Sequence, residues 1–244
     1  MGLFAKKITI FSFLAILAAA LTGCSSHTFV EGESLIVSTK DLPGYAEQSN
    51  VVVVDTRTPE EYAAGHVAGA VNIPTADIVI NVPVKNMLTS QKKIEKVMGS
   101  NGISNDTLVL AYDANKMGAS RLLWSLFMFG HQKVKVVDGG FDAIQTAGIQ
   151  LSTDIEAPAE AVFTAKEPSA NWLATMDEVR AQAENPDPHT ILLDVRSFEE
   201  YAEVGKVPTS LIIPYETNFF SDGTFKTTQI TRINYLEEKI YPED

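Results

Sequence analysis

Asp55, Arg57, Glu61 and His66 carry the charge and proton-transfer capacity of one short stretch, VVVVDTRTPEEYAAGHVAGAVNIP, residues 51–74. A carboxylate and a guanidinium two residues apart could hold an anionic substrate, and a nearby Glu and His could move a proton. The same types also serve structure. An Asp at a strand end with an Arg beside it favours an ion pair or capping contact over substrate contact. Glu61 stands three residues after Thr58, the spacing of a capping box. His66 follows Gly65, which favours a turn or inter-element hydrogen bond over catalysis. The Asp–Arg pair recurs 139 residues on as Asp194 and Arg196, within ILLDVRSFEEY, where Ser197 and Glu200 repeat the capping box. Pro74 and Pro214 are 140 apart, so the second copy carries one extra residue. A repeat this long reads as a duplicated domain.

Sulfur chemistry has one candidate, since Cys24 is the single cysteine of the 244-residue chain. That excludes an intrachain disulfide and a multi-cysteine metal site. His27, His66, His131 and His189 lack ligand-type spacing, so neither a metal nor a cofactor is expected. The formal charge is −12, and −14 once Lys6 and Lys7 are removed with the leader. Lys and Arg are scattered, which argues against a nucleic-acid partner. An acidic balance also works against long-range capture of anions.

The elements that would position these side chains alternate strand and helix. Val51–Val54 is a continuous apolar run, as in a strand buried on both faces. Thr58 caps a helix with Pro59 at its first position, and Gly65 ends it. A short helix is expected within Lys40–Gln48 and another over Gln91–Met98, with Ile94, Val97 and Met98 at helical spacing. Thr107–Tyr112 reads as a second buried strand, and Asp113–Gly118 as a tight polar loop at its carboxyl end. The helix that follows, to Phe129, is apolar nearly all round and should be deeply buried. Val134–Val137 is a third strand, ended by Asp138-Gly139-Gly140-Phe141. This order predicts an α/β fold, a parallel sheet flanked by helices. The expected organisation is a leader over 1–23, a tether over 24–33, a complete domain over 34–150, a linker over 151–170 and a truncated second copy over 171–244. Within that copy, Thr175 and Glu178 form another capping box, and Ile233, Leu236 and Ile240 mark one face of a last helix.

Residues 1–23 resemble a secretory signal, with a basic end and an apolar run from Ile8 to Leu21 that is shorter than a membrane span. Leu21-Thr22-Gly23-Cys24 resembles the bacterial lipobox, which implies lipid attachment at Cys24 and a membrane partner through that anchor. Buried acyl carbons contribute roughly 0.8 kcal/mol each, so two or more chains anchor stably. Export follows, and Ser25 after the cysteine implies the outer membrane facing the periplasm in a Gram-negative host.

Asp55, Arg57, Glu61, Tyr62, Gly65, His66, Gly69, Ala70, Asn72, Ile73 and Pro74 match the first motif of the rhodanese family, the sulfurtransferases, and Asp138–Phe141 resembles its later D-G-G-[FW] segment. The duplication resembles the tandem members, which include thiosulfate sulfurtransferases. The second copy is weaker, with Lys206 for the His, Thr209-Ser210 for Gly-Ala and Ile212 for the Asn. The resemblance implies a rhodanese-like fold and sulfane-sulfur transfer: a cysteine thiolate takes sulfur from a small anionic donor as a persulfide and passes it to a thiophilic acceptor. The nucleophile would open the loop after the second buried strand, where amides and a helix N-terminus favour a thiolate.

Asp113 occupies that position here. A carboxylate cannot carry a persulfide. It would also repel an anion by roughly 3 kcal/mol at about 5 Å with an effective dielectric near 20. Asp113 is read as an internal anion for the loop amides ahead of any catalytic role. Transferring the 58-residue span from Asp55 to Asp113 onto Asp194 puts the equivalent loop at about 252, past Asp244. The chain alone is therefore expected to resemble a sulfurtransferase without its nucleophile. The alternative is a non-catalytic, lipid-anchored rhodanese-like binding or scaffold protein with an unknown protein partner. The second unit is further expected to be partly disordered or to dock on the first.

Overall fold

The computed structural model describes residues 34–114, 117–155 and 157–226. The leader, Cys24 and the helix expected around Ile233–Ile240 lie outside the described residues.

β1 (Ile36–Val37) leads through a 3-10 turn into α1 (Leu42–Ala46), the short helix expected there. β2 (Val51–Asp55) is the valine run, followed by α2 (Pro59–Ala64). Two short strands come next, β3 (His66–Val67) and β4 (Val71–Asn72), and then a 3-10 turn, Thr75–Ile78. A hairpin of β5 (Val79–Ile80) and β6 (Met87–Leu88) precedes α3 (Gln91–Ser100). β7 (Leu108–Tyr112), α4 (Met117–Met128), β8 (Val134–Val137) and α5 (Gly140–Thr146) complete the alternation.

Five strands form one parallel sheet in the order β1-β8-β7-β2-β4. The register pairs Val51 with Leu108 and Asp55 with Tyr112, so the two central strands end level. Strand side chains alternate between faces. Val54, Val109, Ala111, Val134 and Val136 meet α3 and α4 through Ile94, Met98, Leu122 and Leu126. Val53, Leu110, Tyr112 and Val137 face the other way and meet Leu42 of α1 and Ile144 of α5. A strand between two helical layers needs apolar residues at every position, which is why β2 reads as an unbroken valine run. α4 is less uniformly buried than its composition predicts. Ala119, Leu122, Ser125, Leu126 and Met128 are buried, whereas Leu123, Trp124 and Phe127 are half-buried.

The segment expected as a linker is no free tether. After β9 (Leu151–Ser152), antiparallel to β3, it runs extended against the α3–α4 face. Phe163 and Ala165 are buried in that core, and Ala161 N–H donates to the Gly99 carbonyl at 2.9 Å. Burying Phe163 offsets the entropy of ordering a strap without regular structure.

The remainder holds α6 (Met176–Glu184), β10 (Leu193–Asp194), α7 (Phe198–Val204) and β11 (Leu211–Ile212). β10 pairs parallel with β11. Both predicted capping boxes are formed, Thr175 with Glu178 and Ser197 with Glu200. A bridge between Phe219 and Phe225 closes a turn at Ser221–Gly223. Phe225 then reaches the first unit: its N–H donates to Asp138 Oδ1 at 2.8 Å, and its ring packs on the α3–α4 core.

Candidate functional site

The carboxyl ends of β2 and β7 lie side by side, so Asp55 and Asp113 leave the sheet at neighbouring points. Asp55 is fully buried, and Arg57 meets it with a two-pronged contact. Arg57 Nε donates to Asp55 Oδ1 at 3.0 Å and Nη2 to Oδ2 at 2.6 Å, while Nη2 also donates to the Gly65 carbonyl at 2.7 Å. Phe141 covers the guanidinium, with its centroid 3.4 Å from Cζ. Burial acts to lower the Arg57 pKa, but the bonds and charge of Asp55 outweigh it and hold the guanidinium above its ordinary value. Burial pushes the Tyr112 hydroxyl strongly up, the Asp55 charge adds to this, and the hydroxyl accepts the Val67 N–H at 3.0 Å. These bonds tie β2, α2, β3 and β7 together.

Glu61 closes the capping box on Thr58, and its pKa is lowered first by the Thr58 backbone N–H. His66 is buried, stacks on Tyr62 at 3.7 Å between centroids, and through Nδ1 donates to the Tyr62 carbonyl at 2.9 Å. These contacts position the site's walls; neither residue is aimed at a reacting group by any of them.

Asp113 is buried at the mouth of the loop. Its Oδ2 accepts the Ala119 N–H, in the first turn of α4, at 3.0 Å. Two glycines make the approach possible. A Cβ on Gly118 would stand 2.7 Å from Thr56 Oγ1 and 3.1 Å from Asp113 Oδ2. Gly140 has φ +63°, and a Cβ there would stand 2.6 Å from the Asp113 carbonyl oxygen. That carbonyl accepts the Phe141 N–H at 2.7 Å, so the Asp138–Phe141 segment fastens the loop and covers Arg57 together.

A cleft of about 570 Å³ opens over these elements. Arg57, Glu61 and Asp113 line it, together with Thr75 and Arg121. Thr75 and Tyr112 carry no site signal in the sequence, and Phe141 appears there only as the end of the Asp138–Phe141 segment. Tyr112 and Phe141 become partners of Arg57 only through tertiary contact. Arg121 did carry a sequence signal, as the single charge in the twelve residues of α4. Among the described residues no group of three or more His, Cys, Asp or Glu is placed to hold a metal ion.

Asp194 and Arg196 lie elsewhere and repeat the first pair's contacts. Arg196 Nε donates to Asp194 Oδ1 at 2.9 Å, Nη2 to Oδ2 at 2.6 Å, and Nη2 to the Gly205 carbonyl at 2.8 Å. The Arg196 bond lowers the Asp194 pKa. Thr209 and Gly69 both adopt positive φ, +67° and +78°.

The rhodanese-like domain family matches residues 38–147. A protein assigned as a thiosulfate sulfurtransferase in Mycobacterium leprae (strain TN) is 28% identical over 213 residues, which cover 80% of this chain and 75% of the relative. One of the same assignment in Saccharopolyspora erythraea is 27% identical over 222 residues, covering 84% and 77%. Among solved structures, the 3-mercaptopyruvate sulfotransferase SseA from Escherichia coli superposes with a TM-score of 0.76 at 22% identity, covering 86% of this chain and 85% of that one. The fold is rhodanese-like, an α/β architecture with a parallel sheet flanked by helices.

Proposed function

We propose that this chain is a sulfurtransferase-type protein whose described cleft binds without forming a persulfide. Asp113 carries this reading. It stands at the end of β7 and accepts the Ala119 N–H of α4, filling with a fixed carboxylate the place where the family's thiolate would be held. A carboxylate there accepts a loop amide but cannot take and release sulfane sulfur. The relatives' assignment supports a small sulfur donor and a thiophilic acceptor as the chemistry in which the protein takes part.

The repeated Asp194–Arg196 contacts and the paired positive φ of Thr209 and Gly69 support a two-unit organisation by duplication. The lipobox-like run ending at Cys24 supports export and lipid anchoring. Among the described residues no helix is long and apolar enough to cross a membrane.

The test is thiocyanate formation from thiosulfate and cyanide by the full chain. Background rate is the expected result, and turnover above background overturns the reading. The anchor is tested separately in a bacterial host. Cys24→Ser is expected to move the protein from the membrane to the soluble fraction of the export compartment, and an unchanged distribution removes the anchor.

A further inference from the structure

We propose that Arg121 anchors a small organic monoanion, with a carboxylate or sulfonate headgroup, in the cleft at the start of α4. The inference rests on reading that cleft as a non-covalent binding site. Arg121 is a charge placed in an otherwise uncharged helix, and it lines the cleft. Its guanidinium lies against Trp124, with Cζ 4.7 Å from the ring centroid, and one Nη2 N–H donates to the Asn86 carbonyl. That leaves the fork largely unused. Nε is buried with no hydrogen-bond partner, and Arg121 forms no ion pair among the described residues. Burial lowers its pKa, as expected for a cation without a counter-charge, but an arginine stays charged. The other arginine of the cleft, Arg57, is neutralised by Asp55.

A stacked guanidinium with free donors is pre-organised for a planar or tetrahedral oxyanion. The rest of the lining narrows the choice. Thr75 offers a hydroxyl, whereas Ala76, Val79 and Met117 offer apolar surface for a short stem. Asp113, Glu60 and Glu61 also line the cleft, so a dianion meets more repulsion than a monoanion. The match is an apolar stem with one negative headgroup.

The full chain is titrated with butyrate and with butane-1-sulfonate, against sulfate and sodium chloride at matched ionic strength. Trp124 fluorescence and the Arg Nε–H resonances serve as readouts. At least one organic probe is expected to give a saturable response and to shift the Arg121 Nε–H signal, assigned through Arg121→Lys. Arg121→Gln is expected to weaken that probe at least tenfold and Arg121→Lys less, with sulfate binding more weakly than either probe. The tighter of the two probes identifies the headgroup. The proposal is overturned if neither probe saturates, if Arg121→Gln binds both like the wild type, or if sulfate binds as tightly. Should Arg121→Gln not fold, the wild-type Nε–H signal decides: an unmoved resonance at saturating probe also overturns it. Thiocyanate turnover would sink the non-covalent reading alone, whereas absent binding with background turnover sinks only this proposal.

Discussion

Arg57 shows how a residue that looks like a substrate contact is used up by the fold. Three of its donor bonds go to Asp55 and Gly65, and Phe141 covers its face. Arg57→Ala would leave Asp55 buried and unpaired, a change that costs about 3–5 kcal/mol. Urea unfolding should show that loss, and Arg57→Lys should not recover it, because an ammonium cannot reproduce the fork. His131 supplies a pH dependence. It is buried against Phe163, with burial pushing its pKa below the usual 6.5 and the Lys133 carbonyl bond opposing that. The unfolded chain binds a proton near pH 6.5 that the folded chain refuses. Its contribution is therefore fully present above that pH and lost as pH falls below it. Stability measured from pH 7 to pH 5 should fall, and His131→Gln should flatten the slope. An unchanged slope would remove His131 as the cause.

At the scale of elements, the turns at Gly69 and Thr209 differ in how well they fit the residues they hold. Gly69 and Thr209 both take left-handed backbone after a short helix and before a parallel strand. A β-branched residue there is strained by roughly 1–2 kcal/mol, because its Cβ crowds the following carbonyl. Thr209→Gly should therefore raise the unfolding midpoint despite the loss of a side chain, by about 1 kcal/mol in free energy after glycine's extra chain entropy. A lower midpoint would show that Thr209 makes a compensating contact. Among the described residues β10 pairs with β11 alone, and Leu193 and Leu211 stay largely exposed, whereas β2 lies between β4 and β7. The Asp194–Arg196 segment thus has the local bonding of the Asp55–Arg57 segment with much less burial.

At the scale of the molecule, the strap over 157–170 and the Phe219–Phe225 turn join the later residues to the first core. Asp138 receives both the Gly139 and the Phe225 N–H groups on Oδ1, at 2.9 and 2.8 Å. Phe225→Ala should remove a partly buried ring at a cost of about 1–3 kcal/mol. Limited proteolysis should then cut within 190–226 sooner, while residues 34–150 keep their resistance. Equal rates in variant and wild type would show that the ring does not hold the second half.

Local pattern was enough for β2, β7 and β8 and for α1 to α4, because a valine run, a capping box and helical spacing each act over a few residues, but not for the two-residue strands β1 and β4 at the sheet's edges, which pairing alone defines. It also put Asp113 between a strand and a helix, where it lies, since strand, loop and helix follow one another in the chain. The Asp194–Arg196 pair could be read next to its capping box for the same reason. Other features depended on residues far apart in sequence. Phe141 lies on Arg57, 84 positions earlier, and Phe163 enters the α3–α4 core from a segment whose composition reads as a linker. Arg121 stood out by charge and shares α4 with Trp124, but its bond to Asn86 and its place in the cleft needed the β5–β6 hairpin brought against α4. Sequence spacing sets which groups a local element presents; only packing sets which of those groups are already satisfied and which remain open to a ligand.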